Sequence, residues 1–96
     1  MPCRSMNDII WSKQFKRDII REFRADKRIV GLIIPVIADL CRGMVLDKKY
    51  HDHQLTGNLR KYRDCHIKPD LVLLYSILED GTVSLERIGS HAELCL

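Results

Sequence analysis

Residues 71–78, LVLLYSIL, restrict the fold of this 96-residue chain more than any other segment. The run is almost wholly apolar and has the length of a central β-strand that is covered on both faces. Asp80-Gly81 then gives a two-residue hairpin signal, and residues 82–88 return with strand-like alternation. Residues 60–67 alternate in the same way. The second half of the chain therefore predicts a meander of antiparallel strands.

The first half of the chain has helical periodicity instead. In residues 11–23 an apolar residue recurs at every fourth position, as in an amphipathic helix: Trp11, Phe15, Ile19 and Phe23. Ser12 is the expected N-cap of this helix, and residues 7–11 are short and β-branched enough for a brief strand before it. The other faces are basic, which indicates a solvated surface more than an RNA contact.

Residues 27–42 predict a second, more buried helix that is closed by Gly43 as a left-handed cap. Pro35 lies in its middle, so the helix either kinks there or starts near that residue. Helices first and strands afterwards favour the α+β class. We expect one domain over residues 1–96, with two helices packed on one face of a small antiparallel sheet.

Composition and charge set the broad class of the chain. An apolar fraction of 46% and a charged fraction of 30% are those of a water-soluble globular domain. The longest nearly uncharged apolar stretch, residues 29–38, has about half the length of a membrane span, and no secretory signal is visible, so a cytoplasmic protein is expected. The net charge is +3, and the basic excess lies ahead of residue 70. This permits RNA association but is weaker than in a dedicated nucleic-acid binder.

Four cysteines are spread along the chain without a C-x-x-C pair: Cys3, Cys41, Cys65 and Cys95. An even number allows two disulfides, but a reducing cytosol favours free thiols. A zinc site could also be assembled from four residues: His51, His53, Cys65 and His66. Their spacing matches no standard ligand pattern, so we expect no structural metal.

The polar residues of the second half give the strongest functional indication. Residues 43–57 form a long loop without periodicity, and loops of that length in small domains commonly carry function. Alternation places Asp64 and His66 on one face of a strand, with side chains roughly 7 Å apart. Since adjacent strand ends are neighbours in a meander, six residues can converge on one surface: His53, Asp64, His66, Asp70, Arg87 and His91.

This set fits acid–base chemistry on a phosphodiester. An unperturbed imidazole titrates at ~6.5, so one histidine can accept a proton and another can donate one near neutral pH. An arginine can hold two oxygens of a pentacovalent phosphate and offset its growing charge. These are the requirements of metal-free RNA cleavage, in which the 2′-hydroxyl attacks the adjacent phosphorus and the 5′-oxygen leaves. DNA lacks that hydroxyl, so the chemistry selects RNA.

Three motifs in this part of the chain resemble those of a known family. They are YHDHQLTG at residues 50–57, YRDCHIKPD at residues 62–70 and LERIGSHAEL at residues 85–94. The YafQ branch of the RelE/ParE toxin superfamily shows D-H-x-L-x-G, Y-R-(D/E)-x-H-(I/V)-x-P-D and R-x-G-(S/T)-H-x-x-L in this order and with fitting spacing. The resemblance is strong over residues 50–94, and ahead of them it rests on the order of the elements.

The resemblance implies a RelE-like microbial RNase fold and the toxin of a type II toxin–antitoxin pair. Such a toxin is an endoribonuclease that cuts the mRNA codon in the ribosomal A site. A cognate antitoxin neutralises it and provides the contact with operator DNA. The family's active-site positions fall on the six residues named above. His66 or His53 is assigned as general base, His91 as general acid and Arg87 as transition-state clamp, while the two aspartates orient imidazoles or substrate. No cofactor and no membrane contact are implied.

RNA binding is expected from the six basic residues of the region 43–70: Lys48, Lys49, Arg60, Lys61, Arg63 and Lys68. Two other positions depart from the family pattern. Leu71 stands where some members have tryptophan, and Cys95 stands where they have phenylalanine. An aromatic side chain can stack on a base, so these departures bear on codon preference and rate.

Two other interpretations stay open. A member of the neighbouring gyrase-targeting branch, or one that has lost its chemistry, would act by binding antitoxin and DNA. The histidine set argues against the gyrase branch. A plain RNA-binding module would need exposed aromatic side chains for stacking, and most aromatic residues of this chain are assigned to the core.

Overall fold

Five strands, two long helices and one short helix make up the described part of the chain. In this computed structural model, which describes residues 8–96, the strands are β1 Ile9–Trp11, β2 His53–Gln54, β3 Arg63–Lys68, β4 Leu71–Ile77 and β5 Val83–Gly89. The helices are α1 Lys13–Ala25, α2 Ile29–Cys41 and α3 His91–Leu94. The strands form one sheet in the order β1-β5-β4-β3-β2. Asn7 of the predicted first strand and Cys3 lie outside the described residues.

The α+β class predicted from the sequence is confirmed, but the sheet is mixed rather than antiparallel. Strands β2 to β5 are antiparallel neighbours. Strand β1 instead runs parallel to β5, where Ile9 pairs with Val83 and Trp11 with Leu85. Strand β1 pairs with the strand farthest from it in sequence. The alternation of apolar and polar residues within one segment therefore could not predict whether β1 runs parallel or antiparallel to its neighbour.

Strand β4 lies at the centre of the sheet and is covered on both faces, as its continuous apolar run predicts. All residues from Leu71 to Ser76 are buried. On the face toward α1 and α2, Leu73 and Tyr75 belong to the main core. On the opposite face Val72 and Leu74 form a smaller core, which is completed by Leu94 of α3 and the flanking side chains Leu55 and Tyr62.

Helix α1 buries a different stripe from the predicted one. The Ser12 hydroxyl accepts a hydrogen bond from the Phe15 N–H at 2.9 Å, which confirms the N-cap. Within the predicted stripe Phe15 is fully buried, but Trp11 and Phe23 are 44% and 41% exposed. The other fully buried residue of α1 is Asp18, an acid that the apolar periodicity did not single out.

Helix α2 continues through Pro35 rather than starting there. The proline cannot donate to the carbonyl of Gly31, one turn earlier. Both residues are exposed, so water can satisfy that carbonyl. The helix ends at Cys41, and Gly43 has a φ of 72°, which confirms the left-handed cap.

Side chains of α1 protect the outer edge of β5 where β1 stops. The Ser12 hydroxyl donates to the Glu86 carbonyl at 2.7 Å. Asp18 then accepts a hydrogen bond from the Ile88 N–H at 3.1 Å, and Arg21 donates to the Ile88 carbonyl at 3.0 Å. The polar groups of this edge are therefore satisfied without a further strand.

The connections are more ordered than the sequence predicted. The expected structureless loop 43–57 contains a 3-10 turn at Lys48–Tyr50 and the strand β2. At the β4–β5 hairpin the Leu78 N–H still bonds to the Thr82 carbonyl, so the loop has three residues, 79–81, rather than two. Gly81 supplies its left-handed position with a φ of 90°. Within residues 8–96, no helix has the length and apolar character that crossing a bilayer requires.

Candidate active site

Three histidine rings lie in a row on the β3 side of the sheet. The ring of His66, on β3, has its centroid 5.7 Å from that of His51 and 5.0 Å from that of His91. His51 ends the 3-10 turn Lys48–Tyr50 in a left-handed conformation with a φ of 50°. Such a backbone is unusual for a non-glycine residue and concentrates at functional positions. From the sequence, His51 was a residue of the long loop and a possible zinc ligand but not one of the six catalytic candidates, although its spacing of two from His53 was a usable signal.

His53 is held beside Asp64 by strand pairing. The two residues are direct partners across β2 and β3. The Nδ1 atom of His53 lies 2.8 Å from the His51 carbonyl oxygen and 3.1 Å from Asp64 Oδ1. Since both oxygens are acceptors, Nδ1 carries the hydrogen, and in the neutral ring Nε2 is the proton acceptor.

Asp64 is a buried carboxylate among histidines. Its residue surface is only 3% exposed, and its Oδ1 atom makes no hydrogen bond to any residue in 8–96. Burial raises the pKa of Asp64 above its ordinary value, although the nearby His53, His66 and His91 act in the opposite direction. The fold therefore buries a negative charge, which costs folding free energy, next to histidines that can become positive.

His91 has its own carboxylate partner at the start of α3. Ser90 and Glu93 form a reciprocal capping box that fixes the first turn of this helix. The Nδ1 atom of His91 lies 3.1 Å from Asp70 Oδ1, and hydrogen bonds from His91 lower the pKa of Asp70. The carboxylate only accepts, so Nδ1 of His91 carries a hydrogen and Nε2 is left for a substrate.

Arg87 shares a face of the sheet with these residues but lies farther along it. The register places His53, Asp64, Leu74 and Arg87 in one row across four strands. Two strand spacings separate Asp64 from Arg87, so their Cα atoms are roughly 10 Å apart. The structure thus groups five of the six predicted residues, His66 among them, with Arg87 at the side of the group.

The side chain of Arg87 is held by Asp18 of α1. Its Nε atom donates to Asp18 Oδ2 at 2.7 Å, and Nη2 donates to Oδ1 at 3.3 Å. Burial alone would raise the pKa of Asp18, but hydrogen bonds from Arg87, Gln14 and the Ile88 N–H outweigh it, so the pKa is lowered. Asp18 lies on the stripe of Phe15, three positions on, and nothing else in the sequence marks it.

The loop that carries His51 and His53 is anchored through Asp52. Arg63 of β3 donates to Asp52 from Nη2 at 2.9 Å, and the Tyr75 hydroxyl of β4 donates to the same carboxylate. Burial and the hydrogen bond to Asp52 raise the pKa of Tyr75, so the hydroxyl keeps its proton. Arg63, which was predicted to bind RNA, has its charge engaged within the protein.

A groove of about 750 Å³ lies beside His66. Its lining comes from α2, from the segment 49–53 and from the end of β3: Leu32, Lys49, Tyr50, His51, His53, His66, Ile67, Lys68 and Pro69. Two of the basic residues predicted to bind RNA, Lys49 and Lys68, are thus at the site, and Lys68 also lies 3.5 Å from Asp26. Lys48, Arg60 and Lys61 are exposed and stay a prediction.

The cysteine and histidine residues of the considered zinc set do not face one another. Cys65 is fully buried, whereas His66, the next residue of β3, points to the opposite face. Among residues 8–96 no cluster of three or more His, Cys, Asp or Glu side chains could hold a metal ion. Cys41, Cys65 and Cys95 are free thiols, as expected.

Comparison with known proteins decides the family. The sequence matches the family described as "Bacterial toxin of type II toxin-antitoxin system, YafQ" over residues 7–96. The chain belongs to the YafQ toxin family. The mRNA interferase toxin YafQ of Escherichia coli strain K12 is 33% identical over 87 residues, which cover 91% of this chain and 94% of that protein.

Solved structures of YafQ and of another bacterial toxin share the fold. A metal-bound toxin from Helicobacter pylori has a TM-score of 0.86 and 39% identity, and the match covers 93% of this chain and 99% of that one. In the Escherichia coli DinJ-YafQ toxin-antitoxin complex, the match has a TM-score of 0.79 and 31% identity over 93% of this chain and 97% of that one. The family expected from the three motifs is confirmed.

The two departures from the YafQ pattern lie in different surroundings. Leu71, where some members have tryptophan, is 4% exposed and belongs to the main core. Its side chain is therefore not available to a base. Cys95 is exposed and follows α3 in a left-handed conformation with a φ of 59°.

Proposed function

We propose that this YafQ-family toxin is an endoribonuclease that cleaves mRNA with its own acid and base side chains. The curated Escherichia coli relatives are named mRNA interferase toxins. One observation carries the proposal: two histidines, each with Nδ1 3.1 Å from a carboxylate oxygen, are grouped with His66 on one face of the sheet. Two imidazoles with available Nε2 atoms are what a proton relay across a phosphodiester requires.

In the proposed reaction one histidine takes a proton from the RNA and another histidine gives a proton to it. His53 or His66 accepts the proton of the 2′-hydroxyl, and the 2′-oxygen forms a bond to the adjacent phosphorus. His91 donates a proton to the 5′-oxygen as its bond to phosphorus breaks. The products are a 2′,3′-cyclic phosphate and a 5′-hydroxyl end. The tautomer that the His51 carbonyl imposes on His53 favours this residue as the base.

The charged residues around the histidines complete the mechanism. Asp70 accepts a hydrogen bond from Nδ1 of His91 and so orients the ring with Nε2 toward the leaving 5′-oxygen. Asp64 acts through its negative charge, which attracts the ring that becomes positive when it takes the 2′-hydroxyl proton. Arg87 contacts the phosphate oxygens, whose negative charge grows in the transition state.

The proposed substrate is mRNA that is held in the ribosome. The groove beside His66 offers one wall to an RNA strand, with Lys49 and Lys68 on it. In the proposed complex the ribosomal A site supplies the opposite wall and presents the mRNA codon. The remaining exposed basic residues, Lys48, Arg60 and Lys61, then contact RNA phosphates.

A cognate antitoxin is the second proposed partner. The Escherichia coli YafQ has been solved with DinJ as a toxin-antitoxin complex. In this chain α1 and α2 expose large apolar side chains: Ile20, Phe23, Val30 and Ile34. A partner protein would remove this apolar surface from water. Operator DNA is reached only through the antitoxin.

The test is cleavage of a programmed mRNA by the purified protein with translating ribosomes, read by primer extension. Codon-phased cuts are expected, and a single 2′-deoxy substitution at the cut position should abolish them. His91→Ala should reduce the single-turnover rate by about 10² or more, as should Arg87→Ala. Lys13→Ala, an exposed change on α1, serves as the matched control.

Cleavage of the 2′-deoxy message would overturn the proposed chemistry. Full activity of both His91→Ala and Arg87→Ala would overturn the residue assignment. If the protein leaves mRNA intact and instead inhibits DNA supercoiling by gyrase, the gyrase-targeting alternative replaces the proposal.

A further inference from the structure

Asp18 is a fully buried carboxylate that the acid–base mechanism does not use. It lies on α1, opposite the outer edge of β5, and accepts hydrogen bonds from four other groups. These are the Arg87 guanidinium, the Ile88 N–H at 3.1 Å, Arg21 Nη1 at 3.1 Å and Gln14 Nε2 at 3.1 Å. An ionised group is tolerated in such a place only when its partners replace water, and here they do.

The contact with Arg87 fixes which edge of the guanidinium is available. A guanidinium has five N–H donors in a planar fork. Asp18 accepts from Nε at 2.7 Å and from Nη2 at 3.3 Å, so it occupies the Nε edge. The Nη1 hydrogens and the second Nη2 hydrogen have no partner among residues 8–96. About a third of the Arg87 side chain, 32%, is exposed.

We propose that Asp18 is a positioning residue, which holds Arg87 by its Nε edge so that the Nη1/Nη2 edge faces the scissile phosphate. That free edge has the geometry for a bidentate contact with two phosphate oxygens. Asp18 itself touches no substrate and acts through Arg87. This inference rests on the proposed ribonuclease function and extends its machinery to α1.

A purely structural role explains the choice of residue less well. Position 18 continues the stripe of Phe15 into the interior, where a leucine or methionine would extend the core. Replacement of buried ion pairs by apolar residues of similar size is often neutral or stabilising. A carboxylate that accepts both hydrogen bonds from one edge of Arg87 has instead a clear use. An untethered arginine would lose side-chain entropy when it binds the phosphate, whereas an arginine held by Asp18 has already lost it on folding.

The same helix also connects Arg87 with the helix of the proposed general acid. Arg21, one turn after Asp18, donates to the Ile88 carbonyl at 3.0 Å and lies 3.5 Å from Glu93 of α3. Glu93 belongs to the capping box that starts α3 at His91. Through Asp18 and Arg21, helix α1 therefore contacts both Arg87 and the first turn of α3.

A double-mutant cycle on mRNA cleavage tests the inference. Asp18→Asn keeps the shape of the side chain and removes its charge. Its single-turnover rate at saturating programmed ribosomes should fall about tenfold or more, with ribosome affinity unchanged. In the Arg87→Ala background the same substitution should have no further effect, because the residue through which Asp18 acts is absent. Asp39→Asn on α2 is the matched control.

Two measurements keep the test decisive if Asp18→Asn folds poorly. Millimolar guanidinium should restore part of the activity of Arg87→Ala, because the Asp18 carboxylate is still there to orient the ion, and methylammonium should restore less. In ¹H-¹⁵N spectra the Arg87 Nε–H should exchange slowly with water. The spectra do not depend on catalysis, so they test the contact even if the protein cleaves no RNA.

Each contrary result has a distinct meaning. Equal and additive losses from Asp18→Asn in both backgrounds would show a structural role and overturn the inference. Fast exchange of the Arg87 Nε–H in the unaltered protein, or equal rescue by both cations, would do so as well. Absence of any RNA cleavage by the unaltered protein would instead overturn the proposed function.

Discussion

Asp64 Oδ1 faces His53 Nδ1 at 3.1 Å across the β2–β3 pair, yet it accepts no hydrogen bond within residues 8–96. The hydrogen on Nδ1 is directed at the His51 carbonyl, 2.8 Å away. The carboxylate is therefore buried for its charge rather than for a hydrogen bond. A site arranged in this way gains catalytic charge at the expense of stability.

This arrangement predicts opposite effects of Asp64→Asn on stability and on activity. Because burial raises the pKa of Asp64, the folded protein binds the proton more tightly than the unfolded chain. The stability of the unaltered protein should therefore rise as pH falls through that pKa, and the variant should lack this rise. At neutral pH the variant should be more stable, because it buries no charge there, while RNA cleavage falls about tenfold or more. Thermal melting from pH 3 to 8 measures the first effect, and a lower melting temperature of the variant at pH 7 would contradict it.

The anchor of the histidine loop predicts a graded loss of stability. Tyr75→Phe removes one donor to Asp52 and should cost about 1 kcal/mol in urea unfolding. Asp52→Ala leaves both Arg63 and the Tyr75 hydroxyl without their acceptor and should cost about 3 kcal/mol. Tyr62→Phe, a change on the other face of the sheet, should stay within about 0.5 kcal/mol. Equal effects of the two tyrosine substitutions would argue against the anchor.

Alanine substitutions at two glycines should change the free energy of unfolding in opposite directions. A Cβ atom at Gly89 would lie 3.0 Å from Arg21 Nη2 and 3.1 Å from Glu93 Oε1. Gly89→Ala should displace Arg21 from the Ile88 carbonyl and cost about 1 kcal/mol. A Cβ atom at Gly31, within α2, meets nothing within 4 Å. Gly31→Ala should therefore stabilise by about 0.5–1 kcal/mol, and urea midpoints compare the two.

The thiols should differ sharply in reactivity. Burial raises the pKa of Cys65 to about 12 and also raises that of Cys41. Cys95 is exposed. In a Cys3→Ser background, the native protein should show one fast thiol toward Ellman's reagent, and Cys95→Ser should remove it. Fast reaction of a second thiol without denaturant would contradict the packing around β3 and α2.

The sequence predicted those parts of the fold that depend on local patterns. The apolar run that became β4, the Ser12 cap and the Gly43 cap each follow from neighbouring residues. The pairing of β1 with β5 does not, because it joins segments that lie far apart in the chain. The burial of Asp18 was missed for the same reason, since its partners Arg87 and Ile88 belong to β5.

The candidate site was predictable where motif and strand register coincide. Asp64 and His66 share a face because they are two positions apart, and the adjacency of strand ends in a meander added His53, Asp70 and His91. The resemblance and the register together could not reveal how Arg87 is held. Nor could they reveal that Arg63 is committed to Asp52, since both facts depend on side-chain contacts between distant elements.

The parallel contact between β1 and β5 also affects when a newly made chain acquires its structure. The Ser12 hydroxyl bonds to the carbonyl of Glu86, which lies 74 positions later in the chain. Strand β1 and helix α1 can therefore dock against β5 only after Glu86 has been synthesised. Contacts of such sequence separation form late. A growing chain on the ribosome therefore holds α1, with Asp18, apart from Arg87 until β5 has emerged. The proposed positioning of Arg87 by Asp18 is therefore among the last features of the fold to form.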